Sequence, residues 1–230
     1  MNLNNKIKFF LEELLYKIFK KIKYKIFINS ELSGDRDIEW SFVAANIGSG
    51  PGRALDFGCG ESYLGLIAAQ AGYEVISLDL GRVVRPYFHP KLQFRQRDIL
   101  NIDFPEESFA LIINCSSIEH VGLAGRYGVK ENRSDGDIEI MAKMRLILKL
   151  GGRMLLTIPV GKDAIFPPLH RVYGKERLSK LLENFVIEKE EYWVKNNQNK
   201  WIQVEESIAL SKDSNQNLYG LGCFVLRPKN

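Results

Sequence analysis

The chain of 230 residues fits one globular domain, with some length left for an appendage. Its composition, 45% apolar and 26% charged, is that of an ordinary folded protein and excludes a low-complexity chain. A net charge of +4 is too small to indicate nucleic-acid binding by itself. The three cysteines, Cys59, Cys115 and Cys223, lack metal-type spacing, so we expect reduced thiols and a cytoplasmic location.

The first predicted element is a basic amphipathic helix within residues 5–28. It carries seven lysines against two glutamates, and apolar residues recur at helical spacing from Ile7 to Ile26. The pattern is typical of a helix that lies on a membrane surface, and no cleavage site of a secretory signal follows it. A helix that packs its apolar stripe on the domain explains the pattern equally well. We therefore predict an extension over residues 1–30 and one domain over 31–230.

Strands and helices alternate through the rest of the chain. Helices are predicted over residues 37–47, 63–71, 137–148 and 175–183. Strands are predicted over residues 53–57, 74–78, 92–96, 110–114, 153–158, 186–194 and 223–227. This alternation predicts an α/β fold with a Rossmann-like, doubly wound and mostly parallel sheet. Because no helix is predicted between the last two strands, we expect them to close one edge as an antiparallel hairpin.

The turn after the first strand is the most informative segment. The strand ends near Asp56, and Gly58 and Gly60 follow before the next helix begins. Glycines are needed where a backbone turns sharply or approaches a ligand closely. Asp79 ends the second strand, where nucleotide-binding βαβ units carry the acid that binds the ribose hydroxyls. The segment therefore predicts a nucleoside-binding site.

From about residue 36 onward the chain resembles the class I S-adenosylmethionine-dependent methyltransferases. Five segments carry the resemblance: Leu55-Asp-Phe-Gly-Cys-Gly60, Asp79, Arg97-Asp-Ile99, the fourth-strand run Phe109–Val121 that ends in Glu-His-Val, and the Gly-Gly turn within Leu148–Pro159. The resemblance implies S-adenosylmethionine as the cofactor. It places the cofactor against Asp56, Gly58, Gly60, Asp79, Leu80, Asp98, Ile99 and Asn114. A helix or turn cap is the alternative role for Asp98.

Two positions depart from related patterns. Ser62 stands where many of these methyltransferases have a third glycine. Tyr63 stands where the nicotinamide-type fingerprint G-x-G-x-x-G requires glycine, which disfavours a nicotinamide-dependent oxidoreductase. A non-catalytic nucleoside-binding or scaffold protein with the same fold is the alternative that Ser62 keeps open.

Three side chains are the catalytic candidates. Glu119 and His120 follow the fourth strand and His170 follows the fifth, at the edge of the sheet where ligands bind in open α/β folds. We expect them to converge, with a histidine as general base. The alternatives are structural histidines, or a divalent metal site that holds a substrate diol. Such sites usually have an acid where this chain has Ser116, so no metal ion is predicted.

The glycine-rich segment 122–136 is long for a simple connection and predicts a lid over the acceptor. Arg126, Tyr127 and Arg133 are expected to face the acceptor, and Arg171 is a further substrate candidate. An arginine there suits an anionic or phosphate-bearing group. A solvated loop with ordinary surface arginines is the alternative.

The predicted reaction is O-methylation of a small molecule or a saccharide. Nothing after the fourth strand resembles the Asn-Pro-Pro-Tyr motif of enzymes that methylate amino groups of nucleic acids, which favours O-methylation. The chain carries no evident nucleic-acid-recognition module, so no nucleic-acid partner is expected. A basic amphipathic helix would suit an enzyme that acts at the membrane on a cell-surface glycan or a lipid-linked sugar. The expected location is then cytoplasmic and peripheral on the inner face of the membrane.

Overall fold

The computed structural model describes residues 33–84, 87–125, 127 and 129–229. From Gly34 onward the chain forms one compact unit. The predicted helix within residues 5–28, the boundary near residue 30 and Arg126 lie outside the described residues. Among the residues that are described, no helix has the length and apolar character needed to cross a membrane.

The described chain contains five α-helices and ten β-strands. The helices are α1 (Asp35–Asn46), α2 (Leu64–Gln70), α3 (Gly136–Ile147), α4 (Lys175–Leu181) and α5 (Glu206–Ser211). The strands are β1 (Arg53–Phe57), β2 (Glu74–Asp79), β3 (Leu92–Gln96), β4 (Phe109–Cys115), β5 (Leu148–Val160), β6 (Ala164–Phe166), β7 (His170–Val172), β8 (Phe185–Lys195), β9 (Trp201–Val204) and β10 (Gly220–Pro228). Two short 3₁₀ turns, Ile99–Asn101 and Ile118–His120, follow β3 and β4. Every predicted strand and every helix predicted from residue 37 onward is present.

Eight strands form one sheet in the order β3-β2-β1-β4-β5-β10-β8-β9. The first five strands are parallel, and β10 is antiparallel to both β5 and β8. The prediction of a Rossmann-like, mostly parallel sheet with an antiparallel edge is therefore confirmed. The strand order reverses between β1 and β4, and ligands bind at the carboxyl ends of the strands at such a reversal.

The antiparallel edge differs in detail from the predicted hairpin. The last strand, β10, pairs with β8 but lies inside the sheet, and the edge pair is β8 with β9. The sequence between β8 and β10 is polar because β9 is a short edge strand. Trp201 is buried there while Ile202 and Gln203 are exposed. Half-exposed edge strands carry a weak apolar pattern, so β9 was missed, and the six residues of α5 are too few to show a helical period.

Hydrophobic layers cover both faces of the sheet. Strand β4 is buried along almost its whole length, as is usual for a central parallel strand. Helices α3 and α4 pack on one face, with Ile140, Met144 and Leu178 in that layer. Helices α1 and α2 pack on the other face, with Phe42 and Ala68. The sheet is thus a rigid support whose carboxyl edge remains open.

Candidate functional site

A cavity of about 640 Å³ lies at the carboxyl ends of β1, β2 and β4. This is the size of a small-molecule site, and it stands where the strand order reverses. Ten of the predicted site residues line it: Asp56, Gly58, Gly60, Asp79, Leu80, Asp98, Ile99, His120, Tyr127 and Arg133. The cavity therefore joins predicted cofactor positions to one catalytic and two substrate candidates.

The turn after β1 needs its glycines. Gly58 and Gly60 both adopt the left-handed backbone region, with φ of 62° and 46°. A Cβ on Gly58 would lie 2.2 Å from Ser117 Oγ, so no larger residue fits without displacement of the loop after β4. A Cβ on Gly60 would meet nothing within 4 Å. The turn thus leaves bare backbone along the wall of the cavity, which is the cradle that a nucleoside with an amino-acid tail requires.

Asp79 is held at the end of β2 by two backbone amides. Its Oδ2 accepts a hydrogen bond from the Gly60 amide at 2.9 Å, and its Oδ1 accepts one from the Gly81 amide at 2.8 Å. An ionised carboxylate has about four acceptor positions, so both oxygens keep a lone pair. Because Asp79 lines the cavity, those lone pairs suit a pair of vicinal hydroxyls. This is the position expected for a ribose-binding acid.

Ser62 closes the turn, and a third glycine is present elsewhere. The Ser62 amide donates to the Cys59 carbonyl at 3.1 Å. Ser62 is buried and lies two residues before the start of α2. In α2, a Cβ on Gly65 would lie 2.6 Å from Asp56 Oδ2 and 2.5 Å from Ser77 Oγ. Gly65 therefore lets the helix approach the strands closely, and sequence reasoning missed it. A positional search for glycines on the first helical turn would have found it.

Asp98 has the alternative role considered for it, as a turn cap. Its Oδ1 accepts from the Leu100 amide at 2.9 Å and its Oδ2 accepts from Asn101 Nδ2 at 3.1 Å. The carboxylate thereby caps the 3₁₀ turn after β3 and lies at the cavity wall beside Ile99. Capping holds both residues at the far end of the cavity from His120, as an adenine site requires.

Asn114 does not reach the cavity, contrary to the prediction for it. The side chain is fully buried, and its Nδ2 lies 3.7 Å from Met144 Sδ on the α3 side of the sheet. Side chains alternate between the two faces of a strand, and Asn114 falls on the face covered by α3. The residues that follow it, Cys115 to Ser117, line the cavity instead.

His120 lines the cavity with a defined tautomer. Its Nδ1 lies 2.5 Å from the Leu169 carbonyl oxygen, which can only accept, so Nδ1 carries the hydrogen. In the neutral ring Nε2 is then the nitrogen that can take a proton. Nε2 lies 3.6 Å from Glu119 Oε1. The imidazole is thus oriented by one backbone carbonyl and stands beside a carboxylate.

Glu119 and His170 lie near His120 but do not line the cavity. Both are buried, and the rings of His120 and His170 are 6.5 Å apart between centroids. His170 packs against the rings of Phe166 and Tyr219. The expected convergence is therefore present, but of the three only His120 lines the cavity. Among the described residues no three His, Cys, Asp or Glu side chains are grouped as metal ligands.

Arg171 is a structural residue, so the prediction of substrate contact was wrong. The side chain is fully buried, and its Nε lies 3.6 Å from Asp137 Oδ1. Its two terminal nitrogens donate at 2.6–3.3 Å to the backbone carbonyl oxygens of Glu119, Val121, Arg133 and Ser134. The guanidinium therefore ties β7 to both ends of the segment that follows β4. Because the guanidinium is fully buried and does not line the cavity, it is not placed to bind an acceptor.

The segment after β4 brings two predicted residues to the cavity. Tyr127 is exposed, and its ring lies 5.5 Å from the His120 ring between centroids. Arg133 also lines the cavity and remains half-exposed beside Glu139. These positions agree with a lid, which stays a prediction.

Helix α1 contributes a group of residues that sequence reasoning missed. Arg36 and Trp40 line the cavity, and Glu39 is buried beneath it. Glu39 accepts hydrogen bonds from Ser116 Oγ and, at 3.0 Å, from Thr157 Oγ1. Burial raises the pKa of Glu39 to about 6, although Arg36 Nη1 at 2.7 Å opposes the shift. The sequence carried one signal for this group, because Glu39 is an acid on the apolar face of an amphipathic helix.

Sequence and structure comparisons place the chain among proteins of this fold. Residues 92–225 match the family model described as "Caenorhabditis protein of unknown function, DUF268". No curated protein matches the sequence.

Three solved structures illustrate the similarity of fold. The 1,6-didemethyltoxoflavin-N1-methyltransferase of Burkholderia thailandensis, solved with its substrate and S-adenosylhomocysteine, has a TM-score of 0.57 at 14% identity over 100% of this chain and 92% of its own. The N-methyltransferase NodS of Bradyrhizobium japonicum, solved with S-adenosylhomocysteine, has a TM-score of 0.53 at 14% identity over 85% and 88%. The [4+2]-cyclase SpnF has a TM-score of 0.59 at 14% identity over 84% and 80%. The resemblance to class I methyltransferases is thus confirmed for the fold, and a cyclase with the same fold shows that the fold alone does not decide the reaction.

Proposed function

The chain belongs to the DUF268 family, whose description assigns no function, and we propose that it is an S-adenosylmethionine-dependent methyltransferase. One observation carries the proposal. The glycine turn, the doubly anchored Asp79 carboxylate and the oriented His120 imidazole all line a single cavity. A nucleoside donor and a second molecule can therefore meet there.

The donor half of the proposal rests on groups that line one end of the cavity. Asp79 would accept the two ribose hydroxyls, and the wall formed by Asp98 and Ile99 would receive the adenine. The bare backbone at Gly58 and Gly60 would face the methionine end. S-adenosylmethionine supplies a methyl group on an already activated sulfonium, so the protein contributes mainly position and exclusion of water. Two neighbours of the same fold were solved with S-adenosylhomocysteine, which supports this assignment.

The acceptor half favours a hydroxyl on a small molecule or a saccharide. A hydroxyl must lose its proton during transfer, and His120 Nε2 can take it because Nδ1 is occupied by the Leu169 carbonyl. Ser116 and Ser117 add hydroxyl groups to the same part of the lining, which suits a polyhydroxylated acceptor. Arg36, which is paired with Glu39, and Arg133, which lies beside Glu139, each have further guanidinium donors that suit an acceptor with an anionic group.

The lysines of residues 5–28 support a further part of the proposal, action at the inner face of a membrane. Their pattern suits attraction to anionic lipids, and a lipid-linked sugar or a surface glycan would be met there. Replacement of these lysines by glutamine should then weaken binding of the full chain to anionic vesicles. Unchanged binding would remove this part and leave the reaction unaffected.

Calorimetric titration with S-adenosylmethionine and S-adenosylhomocysteine tests the donor assignment. Asp79→Ala should weaken both affinities by about 100-fold, since it removes hydrogen bonds to a charged group. Asp213→Ala, at an exposed acid beside Lys162, is the matched control and should change neither. A chain that binds neither compound would contradict the proposal, and binding of a nicotinamide cofactor would favour an oxidoreductase.

Transfer itself is tested with a labelled donor and a panel of sugars, nucleotide sugars, quinol precursors and lipid extract. His120→Gln should lower transfer by about 100-fold or more without loss of donor affinity. His89→Gln, in the loop before β3, is its control. Donor binding without transfer to any hydroxylated compound would favour the non-catalytic nucleoside-binding protein instead.

A further inference from the structure

Helix α1 and the turn after β4 place two polar side chains together in the cavity. Arg36 and Ser116 both line the cavity, and both bind the buried carboxylate of Glu39. Arg36 Nη1 lies 2.7 Å from Glu39 Oε2, and Ser116 Oγ donates to Glu39 Oε1. Because one carboxylate holds both side chains, they are neighbours in the cavity lining. We call Arg36 and Ser116 the α1 subsite.

Arg36 brings a charged donor to the α1 subsite. Half of its side chain remains exposed although Nη1 is paired with Glu39. A guanidinium has five N–H donors in one plane, so this pair leaves others for a ligand. Burial by itself would lower the pKa of Arg36, but the carboxylates of Glu39 and Glu119 raise it, so the side chain stays charged. The buried acid thus fixes the position of a cation at the cavity wall.

Ser116 brings an acceptor to the same place. Its hydroxyl gives its one hydrogen to the Glu39 carboxylate, which leaves the oxygen lone pairs for another donor. Its amide donates to the Thr157 carbonyl at 3.0 Å, which holds the backbone from the other side. Ser116 also has a φ of 47°, in the left-handed region that residues other than glycine rarely adopt. The hydroxyl is therefore held where it can accept a hydrogen bond from a ligand hydroxyl.

We propose that the α1 subsite binds a carboxylate and a neighbouring hydroxyl of the methyl acceptor, so that the acceptor is a hydroxy acid of the uronic acid type. This assignment rests on the proposed methyl transfer and names its acceptor class. Arg36 pairs with the carboxylate through N–H groups in one plane, and Ser116 accepts from the hydroxyl. A phosphate dianion fits less well, because Glu39 and Glu119 act on the same guanidinium and repel a second negative charge.

The α1 subsite lies beside the groups proposed for the transfer. The next residue, Ser117, donates from Oγ to the Gly58 carbonyl at 3.1 Å, and its own carbonyl accepts from the His120 amide at 3.2 Å. Ser117 thus joins the subsite to the glycine turn on one side and to the turn of His120 on the other. A sugar ring anchored at the subsite would bring a further hydroxyl close to the methyl donor and the base.

Sugar binding by the full chain loaded with S-adenosylhomocysteine tests the subsite without turnover. The probes are D-glucuronate, D-glucose and D-glucose 6-phosphate, which differ at a single carbon, and D-glucosamine, each titrated by saturation-transfer NMR. D-glucuronate should bind about tenfold more tightly than D-glucose, as one charge-assisted pair allows. Arg36→Gln should remove this preference and leave the affinity for D-glucose unchanged. Arg53→Gln, at an exposed arginine at the amino end of β1, is the matched control and should keep the preference.

Two further variants separate recognition from folding. Arg36→Lys keeps an ion pair with Glu39 but has no planar set of donors, so the preference should still fall by about threefold or more. Ser116→Ala should weaken both sugars by about fivefold, because both carry the hydroxyl. Titration with S-adenosylhomocysteine is run on each variant, so that failure of the donor site or of the fold is recognised independently.

The carboxylate preference decides the proposal. Equal affinities for D-glucuronate and D-glucose in the unmodified chain, or a preference that survives both Arg36→Gln and Arg36→Lys, would overturn it. Tighter binding of D-glucose 6-phosphate than of D-glucuronate would overturn it in favour of a phosphate. Tighter binding of D-glucosamine would overturn it in favour of an ammonium group that the acids Glu39 and Glu119 attract.

Discussion

The two ends of the cavity are built in different ways. The proposed donor end is formed by three successive strand ends between residues 53 and 98, and its features are backbone turns and acids that bind nearby amides. The proposed acceptor end combines α1, β5, β7 and the turn after β4, through contacts such as Thr157 with Glu39 and Arg171 with Glu119. Local geometry thus decides where a donor can lie, whereas buried polar contacts between distant segments decide what surrounds the acceptor.

The largest expected effect lies at the acceptor end. Arg171→Met should lower the free energy of unfolding by about 3–5 kcal/mol, because four backbone carbonyl oxygens lose their donor and Asp137 keeps only Arg177 as an ionic partner. Urea denaturation measures it, with Arg95→Met as a control expected to stay within about 0.5 kcal/mol, since Arg95 is only partly buried and bonds its strand neighbour Gln93. A loss below about 1 kcal/mol would mean that the carbonyl oxygens find other donors, and the contrast between the two ends would weaken.

At the donor end, the free energy of unfolding should depend on the backbone conformation of the two glycines. Gly58→Ala should cost about 2–4 kcal/mol, since strain of the left-handed backbone is joined by overlap with Ser117. Gly60→Ala carries only the strain and should cost about 1–2 kcal/mol. Thermal unfolding and titration with S-adenosylhomocysteine measure both variants. Ser117→Gly in the Gly58→Ala background should restore part of the loss, and equal costs for the two alanines would refute the steric account.

A smaller effect should appear in the pH dependence of stability. Burial raises the pKa of Glu39 from 4.5 to about 6, so the folded chain binds more protons than the unfolded chain between these values. The stability linked to Glu39 is present below pH 4.5 and falls by about 2 kcal/mol as the pH rises through 6. Glu39→Gln should remove this slope in urea unfolding measured across the window. Parallel curves for the two proteins would show that Glu39 is not buried as a coupled acid.

Most of the predicted site residues that line the cavity have a short-range cause. Gly58 and Gly60 were expected because a turn between a strand and a helix demands them, and Asp79 because a strand end aims it at that turn. Nearness to a strand end alone placed His120 correctly at the cavity but not Asn114 or Arg171. Asn114 and Arg171 lie close in sequence to cavity residues, yet their side chains point into the packed layers. A shift of one residue along a strand reverses the face, and the pattern of a fully buried strand does not reveal which face is which.

The sequence by itself determined the α/β class, the parallel part of the sheet and the donor end of the cavity. These follow from the periodicity of apolar residues and from glycine chemistry, which act over a few residues. Only the tertiary structure decided that β10 enters the sheet beside β5, that α1 brings Glu39 beneath Ser116, and that Arg171 holds the segment after β4. Each of these depends on contacts between residues far apart in the chain, where packing and burial select among partners that the local pattern leaves equivalent.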